Sequence, residues 1–361
     1  MKINTSDYLL VRLAQGGAGV LETLGDIEST WMRKQLDAVS IRSPLFVTGL
    51  ARAGTTILLE ELSKIPGVAT HRYRDFPMLM IPCLWSRFLS RFRTRQEAVE
   101  RPHKDRIKIT SESPEAYEEP IWQHFFPHLH APEAIHRLTG EKRHPGFEGF
   151  YTDHLRKILI IRQGERYLSK GNYNVTRIEY LATLFPDARF VIPVRHPLEH
   201  VHSLVRQNEL FTNYDREDPR VSRYLAAAGH YEFGPQRVPI RLSEVAGNRI
   251  RDAWGNGDDY LGYAIQWAEI YRFVDQLRSR QDRLAQQILV VRYEDFCADP
   301  AGVMGQTLRH THLEAGANFG PQAFEHISPP APGSSRLSGE VQETIWSEVR
   351  EVAAAFGYAP A

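Results

Sequence analysis

The sequence of 361 residues is poor in several features that define protein classes. Two cysteines, Cys83 and Cys297, are too few for a disulfide framework or a cysteine-based zinc cluster. Acidic and basic side chains balance at 44 each, which excludes a general nucleic-acid binder because such proteins carry a basic surplus. The longest apolar stretch, 76–85, is far too short to span a bilayer, and no uninterrupted signal-peptide core is present near the start. We therefore expect a cytoplasmic protein that binds no nucleic acid.

Lysine is also scarce. Only eight of the 44 basic residues are lysines, and the last of them is Lys170. A preference for arginine codons accounts for most of this bias. Some arginines can instead serve anion binding, because a planar guanidinium matches phosphate-like oxygens bidentately. The sequence around each arginine decides which interpretation applies.

Apolar periodicity predicts helices over 7–38, interrupted at Gly16 and Gly17. After this region, short apolar strands alternate with helices. The predicted strands are 44–49, 166–170, 187–194 and 287–291, and the predicted helices are 55–64, 175–185, 197–210, 259–284 and 340–356. This alternation predicts an α/β fold in three layers, with a mainly parallel central sheet flanked by helices.

The same patterns suggest a division of the chain. Residues 1–40 are expected to form an N-terminal helical extension, and 41–361 the main domain. Residues 212–258 are polar and glycine-rich and are predicted to be irregular, as an insertion or lid over the site would be.

The strongest local motif follows the first predicted strand and reads Gly49-Leu-Ala-Arg-Ala-Gly54-Thr55-Thr56. Glycines allow close backbone approach, and amides at a helix N-terminus point at a bound anion. A nucleotide kinase or ATPase has lysine at position 55 and binds magnesium through position 56. Here position 55 is threonine, and the cation is Arg52. The frame alone also fits a plain strand-to-helix turn, but Arg52 with the two threonines favours anion binding.

A second motif lies at the end of the strand predicted over 187–194. Arg195 follows the strand, Pro197 starts a helix, and Ser203 comes eight residues after Arg195. Eight residues are about two helical turns, so Ser203 can lie near the strand end that carries Arg195. Together they can hold a second phosphate, although a capped helix with a surface ion pair gives the same pattern.

These two motifs together resemble the sulfotransferase family that uses 3′-phosphoadenosine-5′-phosphosulfate (PAPS). Lys170, the segment 184–188 and Arg292-Tyr-Glu-Asp-Phe296 also match the family, in its order, from about residue 44 to 300. The resemblance implies a P-loop NTPase-like sulfotransferase fold. It further implies sulfuryl transfer from PAPS to an acceptor hydroxyl, with no metal required.

The resemblance also implies roles for individual residues. Arg52 is expected to stabilise charge on the 5′-phosphate, which Ala53, Gly54, Thr55 and Thr56 cradle. Arg195 and Ser203 are expected to hold the 3′-phosphate, with Arg336 from a late loop as a weaker candidate. Lys170 is expected close to the transferring sulfonate, whereas Arg292-Tyr-Glu-Asp is expected to be structural.

The acceptor hydroxyl needs a general base. The cytosolic small-molecule branch of the family has a histidine two residues after the lysine, and here that residue is Asn172, which cannot take a proton. The carbohydrate and protein branches of the family use a Glu instead, in the stretch equivalent to the one that holds Asp75 here. Asp75 is therefore our first candidate, His71 the second and His103 the third.

Other interpretations of these acidic residues remain open. An ion pair with Arg72 or Arg74 explains Asp75 equally well. Four further acids can line the acceptor cleft, although a solvated helix face is typical of such a cluster. They are Glu112, Glu115, Glu118 and Glu119.

Residues 78–95 interleave large apolar side chains with Arg87, Arg91, Arg93 and Arg95. Such a helix can contact an anionic membrane surface or cover the acceptor cleft, and we favour the cleft. We expect the acceptor to be a carbohydrate or a lipid-linked glycan. The alternative functions are a P-loop kinase-like enzyme, which Thr55 disfavours, and a nucleotide-binding module without transfer activity, which Asn172 allows.

Overall fold

The computed structural model describes residues 3–91, 99–100, 108–115, 117–316, 321–327 and 337–360. Four candidates from the sequence lie outside the described residues. They are Arg93, Arg95, His103 and Arg336.

The strands are numbered along the chain. They are β1 Leu45–Val47, β2 Val68–Ala69, β3 Val99–Glu100, β4 Lys108–Ile109, β5 His130–Ala131, β6 Ala134–His136, β7 Arg166–Lys170, β8 Arg189–Val194, β9 Ile240–Arg241 and β10 Ile288–Arg292. Five of them form a sheet in the order β10-β8-β1-β7-β2, and every pair in it is parallel. The first strand therefore occupies the centre, between β7 and β8.

The helices are also numbered along the chain. They are α1 Thr5–Gly16, α2 Ala18–Trp31, α3 Arg33–Asp37, α4 Thr55–Ser63, α5 Pro82–Leu89, α6 Glu119–Phe125, α7 Pro145–Arg162, α8 Ile178–Leu184, α9 Pro197–Glu217, α10 Arg220–Ala227, α11 Glu244–Gly255, α12 Asp259–Arg278, α13 Arg283–Gln287, α14 Tyr293–Ala298, α15 Pro300–Thr311 and α16 Gly339–Ala354. Short 3-10 turns occupy Tyr73–Asp75, Pro127–Leu129, Asn172–Arg177 and Pro321–Phe324.

The sheet separates two apolar cores. Phe46 of β1 belongs to the larger core, whereas its neighbours Leu45 and Val47 belong to the smaller one, which includes residues of α4 and α15. Successive side chains of a strand point to opposite faces, so both faces of the sheet are covered. This arrangement confirms the predicted three-layer α/β fold with a parallel central sheet.

The segment 212–258 is more regular than its composition indicated. Helix α9 continues to Glu217, and α10 and α11 occupy much of the remainder. The prediction of an irregular segment was therefore wrong for most of it. Val221 and Ile250 are fully buried, so sparse apolar positions in a polar sequence are enough to dock each helix. The role of a lid stays a prediction.

The N-terminal helices pack against the rest of the chain. Helix α1 contacts α10, and α2 contacts α5 and α7. The break between α1 and α2 falls at Gly17, close to the predicted interruption. Val11 and Ala14 of α1 are buried. The domain boundary at residue 40 stays a prediction.

Candidate active site

The predicted donor residues lie at one edge of the central sheet. Strands β1, β7 and β8 are parallel neighbours, so their carboxyl ends meet at the same edge, where ligands of open α/β sheets bind. The loop 49–54 follows β1, Gly171 and Asn172 follow β7, and Arg195 follows β8. The hydroxyl of Thr48 donates to the carbonyl of Gly171 at 2.7 Å and fastens the first two of these segments together.

The loop before α4 has an unusual backbone. Gly54 has φ +106° and Arg52 has φ +71°, a region that side chains rarely adopt. A Cβ on Gly54 would lie 2.6 Å from the ring of Tyr293, so both conformation and contact require glycine. The loop turns directly into α4 at Thr55, which directs the first amides of that helix at the site.

A buried histidine supports the same loop. His200 is fully buried in α9, and its Nε2 donates to the carbonyl of Ala51 at 2.8 Å. Burial lowers the pKa of His200 to about 3. The ring is therefore neutral at physiological pH and serves as a hydrogen-bond donor to the loop.

Arg195 and Ser203 both meet the loop at Arg52. The Nε of Arg52 donates to the hydroxyl of Ser203 at 3.4 Å, and Nη1 of Arg195 donates to the carbonyl of Arg52 at 3.4 Å. The guanidinium of Arg195 also lies over the ring of Tyr293, 5.1 Å from its centroid. Its Nε is buried and has no hydrogen-bond partner among the described residues. Two guanidinium groups and a helix N-terminus therefore converge on one small region.

Lys170 ends β7 beside a carboxylate. Its Nζ lies 3.7 Å from Oε1 of Glu115, and both side chains are less than one-tenth exposed. The hydroxyl of Tyr73 donates to Oε2 of the same carboxylate at 2.5 Å. Glu115, one of four acids proposed for the acceptor cleft, is thus the one that contacts Lys170.

Glu232 contacts Asn172, and His230 contacts Glu232; neither residue was predicted from the sequence. The Nδ2 of Asn172 donates to Oε1 of Glu232 at 2.8 Å, and Oε2 of Glu232 lies 3.6 Å from Nδ1 of His230. Burial raises the pKa of Glu232, but the contacts with His230 and Asn172 outweigh this effect and lower the pKa to about 2. No local motif marks these residues, because they lie in the segment 212–258 and approach Asn172 only in the folded chain.

A comparison with known proteins shows the family of this chain. A family model described as the sulfotransferase family matches residues 44–238, which is more than half of the chain. The chain belongs to the sulfotransferase family. Its fold is the P-loop-like sulfotransferase fold, and transfer of a sulfuryl group is its general activity. No curated protein sequence matches it significantly.

Several solved sulfotransferases are similar to this chain at low sequence identity. Sulfotransferase STF1 from Mycobacterium tuberculosis is 16% identical, with 92% of this chain and 81% of that chain covered and a TM-score of 0.46. Sulfotransferase STF9 from Mycobacterium avium is 14% identical, with coverage of 89% and 80% and a TM-score of 0.47. A sulfotransferase from Alicyclobacillus acidocaldarius is 14% identical, with coverage of 88% and 94% and a TM-score of 0.40.

Asp75 in this sulfotransferase is held in a buried ion pair. Both of its oxygens accept from Nη2 of Arg162 at 2.6 Å, and the two side chains are 6% and 2% exposed. Burial raises the pKa of Asp75, but His71 and Arg162 outweigh it and hold that pKa well below its ordinary value. A carboxylate so stabilised is a weak proton acceptor.

The partner of Asp75 is not the one that the sequence indicated. Arg72 and Arg74 instead bind Glu112, at 2.6 Å and 2.7 Å, and Arg162 comes from the distant end of α7. His71 is 2% exposed and its Nε2 lies 3.0 Å from Nε2 of the buried His154. We call Asp75, Arg162, His71 and His154 the Asp75 cluster.

The prediction of a solvated acidic face is wrong for most of the four glutamates. Glu118 accepts from the hydroxyl of Tyr151 at 2.9 Å, and Glu119 binds Arg177 and His130. Both are buried, as is Glu115, and only Glu112 among the four is not. Glu115, Glu118 and Glu119 are therefore buried carboxylates that form hydrogen bonds or ion pairs within the protein.

The segment Arg292-Tyr-Glu-Asp connects the last strand to the donor region. Glu294 accepts from the backbone amide of His196 at 2.9 Å and from the hydroxyl of Tyr358 at 2.6 Å. Tyr293 packs against Gly54 and Arg195. The segment thus holds Tyr293 in the position where it packs against the loop 49–54 and Arg195.

An apolar cavity of about 350 Å³ lies between α1, α2, α6 and the segment 76–80. Leu79 and Met80, from the start of the basic stretch, line it together with Phe76. Phe76 stacks on Tyr117 at 4.9 Å, Tyr117 packs edge-on against Tyr73 at 5.7 Å, and Tyr73 donates to Glu115. Aromatic side chains therefore connect the cavity wall to the carboxylate beside Lys170.

No group of three or more His, Cys, Asp or Glu is arranged to hold a metal ion in the described part of the chain. Within the same residues, no helix is both long enough and apolar enough to cross a membrane.

Proposed function

We propose that this sulfotransferase takes its sulfuryl group from PAPS and transfers it to an acceptor hydroxyl. The convergence of Arg52, Arg195 and Ser203 at the N-terminus of α4 carries the proposal. A donor with separate 5′ and 3′ phosphate groups needs two cationic points close together. The loop 49–54 with Arg52 suits the 5′-phosphosulfate, and Arg195 with Ser203 suits the 3′-phosphate.

The unpartnered Nε of Arg195 supports the fit of such a donor. A buried polar atom without a partner costs about 1–3 kcal/mol, and a phosphate oxygen would satisfy it with a charge-assisted bond. The same guanidinium rests on Tyr293, so its plane is already fixed before an anion binds. Arg336, the weaker candidate for this phosphate, lies outside the described residues and stays a prediction.

The proposed chemistry relies on positioning and on electrostatic stabilisation. Sulfuryl transfer, like phosphoryl transfer, moves a group in line between two oxygens, and negative charge builds on the departing phosphate. Arg52, Ala53, Gly54, Thr55, Thr56 and the first amides of α4 are suited to stabilise that charge. Lys170 is suited to hold the sulfonate, and Glu115 fixes its ammonium group. No metal is needed for this distribution of charge.

We further propose that the acceptor hydroxyl belongs to a carbohydrate, with a lipid-linked glycan favoured. The apolar cavity bounded by Phe76, Leu79 and Met80 supports an acceptor that has an apolar portion. Its aromatic connection to Glu115 supports the cavity as part of the acceptor side. Contact of the stretch 78–95 with a membrane surface stays a prediction, since part of that stretch lies outside the described residues.

Ligand-dependent stability tests the donor. Adenosine 3′,5′-bisphosphate should raise the Tm of the protein, because a ligand that binds only the folded state stabilises it. Magnesium-ATP at the same concentration should not. Stabilisation by magnesium-ATP alone would contradict the proposed donor and favour the kinase-like alternative.

A substitution tests the role of Arg52. Arg52→Ala should reduce transfer from PAPS by about 100- to 1,000-fold, the usual loss when one stabilising donor is removed. Its Tm without ligand should match that of the wild type. Arg251→Ala, an exposed arginine of α11, is the matched control and should retain full activity. Equal activity of the two variants would contradict the assignment.

A further inference from the structure

The acceptor side of this sulfotransferase contains a connected set of polar residues beyond Asn172. Asn172 donates to Glu232 at 2.8 Å, and its Oδ1 accepts from the hydroxyl of Thr55 at 3.5 Å. Glu232 lies 3.6 Å from Nδ1 of His230. Contacts therefore run from the phosphate loop through Asn172 and Glu232 to an imidazole.

The backbone around His230 is fixed by the fold. The amide of His230 donates to the carbonyl of Leu225 at 2.8 Å, and the amide of Tyr231 donates to the hydroxyl of Tyr173 at 2.9 Å. The carbonyl of Glu232 accepts from the hydroxyl of Tyr263 at 3.1 Å. Because separate elements hold these three residues, the positions of His230 and Glu232 are set before any acceptor binds.

Exposure distinguishes the two side chains. His230 is 31% exposed, whereas Glu232 is 11% exposed. The imidazole can therefore reach an incoming hydroxyl, while the carboxylate behind it is shielded from water. This is the arrangement of a base and the group that orients it.

Three charged side chains act on His230, namely Glu232, Lys170 and Glu115. Burial and Lys170 lower the pKa of His230, whereas Glu232 and Glu115 raise it, and the net effect is a raised pKa. A base whose pKa lies near the working pH combines sufficient basicity with a populated neutral form.

Other candidate bases are engaged elsewhere. The oxygens of Glu115 contact Lys170 and Tyr73. Asp75 is held by Arg162, and His71 is buried against His154. Among the described candidates, His230 combines a basic nitrogen, exposure and a connection to the phosphate loop.

We propose that His230 is the general base for the acceptor hydroxyl, and that Glu232, held by Asn172, is the residue that positions it. The inference rests on the proposed function. Nε2 of neutral His230 takes the hydroxyl proton as the acceptor oxygen forms its bond to sulfur. The bond between sulfur and the 5′-phosphate oxygen breaks, and adenosine 3′,5′-bisphosphate leaves with that electron pair. The imidazolium so formed is paired with the Glu232 carboxylate.

Release of adenosine 3′,5′-bisphosphate tests the inference, with PAPS as donor and n-octyl β-D-glucoside as probe acceptor. His230→Gln should lower kcat by about 100-fold or more, the contribution of a general base, with the KM for PAPS unchanged. It should also lose the acidic limb of the pH profile. Glu232→Gln should lower kcat less and move that limb to lower pH, because the carboxylate that raises the pKa of His230 is gone. His128→Gln, at an exposed histidine, is the matched control and should behave as the wild type.

The outcomes separate this inference from the donor assignment. Adenosine 3′,5′-bisphosphate should raise the Tm of the wild type and of His230→Gln equally, which shows that the variant is folded and binds the nucleotide. A wild-type rate in His230→Gln, or an unchanged acidic limb, overturns the role of His230 and leaves the donor intact. Absence of a Tm shift in the wild type overturns the proposed donor and this inference with it.

Discussion

Arg162 and Arg195 are both buried arginines, and their surroundings differ in one respect. Arg162 donates to both oxygens of Asp75 and is 2% exposed. Arg195 is 8% exposed and contacts the carbonyl of Arg52 and the ring of Tyr293. Among the described residues, no carboxylate lies within ion-pair distance of Arg195. One buried charge is therefore neutralised by a carboxylate of the protein, whereas the other has no carboxylate partner among the described residues.

This difference concerns how the protein compensates a buried charge. Burial of a charge is costly unless it is paired. The protein meets that cost at Arg162 with a carboxylate, which is why the Asp75 cluster has low exposure and a depressed pKa at Asp75. At Arg195 the free-energy cost of burying the charge is not offset by a carboxylate. A bound phosphate would offset it. A strongly perturbed carboxylate is thus a poor guide to catalysis when its partner is bidentate and buried.

The largest expected effect is on the free energy of unfolding, when the ion pair between Asp75 and Arg162 is broken. Asp75→Ala should lower the free energy of unfolding by about 3–5 kcal/mol, because it leaves Arg162 buried without a counter-charge. Glu112→Ala, which breaks the more exposed pairs with Arg72 and Arg74, should cost about 0–1 kcal/mol. Urea unfolding measures both. If Asp75→Ala keeps the wild-type stability and loses transfer activity, Asp75 is the general base, and its role as the structural counter-charge of Arg162 is contradicted.

The next effect is on the donor side. Arg195→Ala should weaken binding of adenosine 3′,5′-bisphosphate by about 10- to 100-fold, since hydrogen bonds to charged groups contribute about 1.5–3 kcal/mol. The free energy of unfolding should change little, because no carboxylate is left unpaired. Titration calorimetry gives the affinity, with Arg251→Ala as the control. Loss of stability without loss of affinity would make Arg195 structural, like Arg162.

A smaller effect tests the packing of Tyr293, which contacts both Gly54 and Arg195. Gly54→Ala places a Cβ 2.6 Å from the ring of Tyr293 at φ +106°, whereas Gly67→Ala at φ +79° meets nothing within 4 Å. Both variants share the backbone strain, so their difference in unfolding free energy isolates the contact with Tyr293. We expect Gly54→Ala to cost about 1–3 kcal/mol more, as overpacking does, and to weaken bisphosphate binding. Equal stabilities of the two variants would show that the ring of Tyr293 moves away from the new Cβ at no cost in free energy.

The smallest expected effect is a pH dependence. Because the folded-state pKa of Asp75 is depressed, its stabilisation is complete above the unfolded-state value of about 3.9 and is lost as pH falls towards the folded-state pKa. The difference in unfolding free energy between the wild type and Asp75→Asn should therefore be constant at neutral and mildly acidic pH and should narrow below about pH 4. A difference that widens on acidification would contradict the ion pair.

The fold could be predicted because its signals are local, and so could the meeting of the residues assigned to the donor at one edge of the sheet. Strands β1 and β8 are short apolar runs, and each is followed at once by its functional loop. The two helical turns after Arg195 predict Ser203 near the same strand end, and there it contacts Arg52. The residues that act on Asp75 and Asn172 could not be predicted, since Arg162 is 87 residues from Asp75 and Glu232 is 60 residues from Asn172. The polar composition of 212–258 also concealed helices that depend on a few buried side chains such as Val221.

The sequence by itself determined the three-layer fold, the family and the order of the residues that we predict to bind the donor, because apolar periodicity and a strand-to-helix loop act over a few residues. Only the tertiary structure decided which charges are neutralised and which are available. Whether a carboxylate can accept a proton depends on its partners and its burial, and those are set by segments far apart in the chain. Asp75 and Glu115 look alike in sequence, but one is held by Arg162 and the other lies beside Lys170.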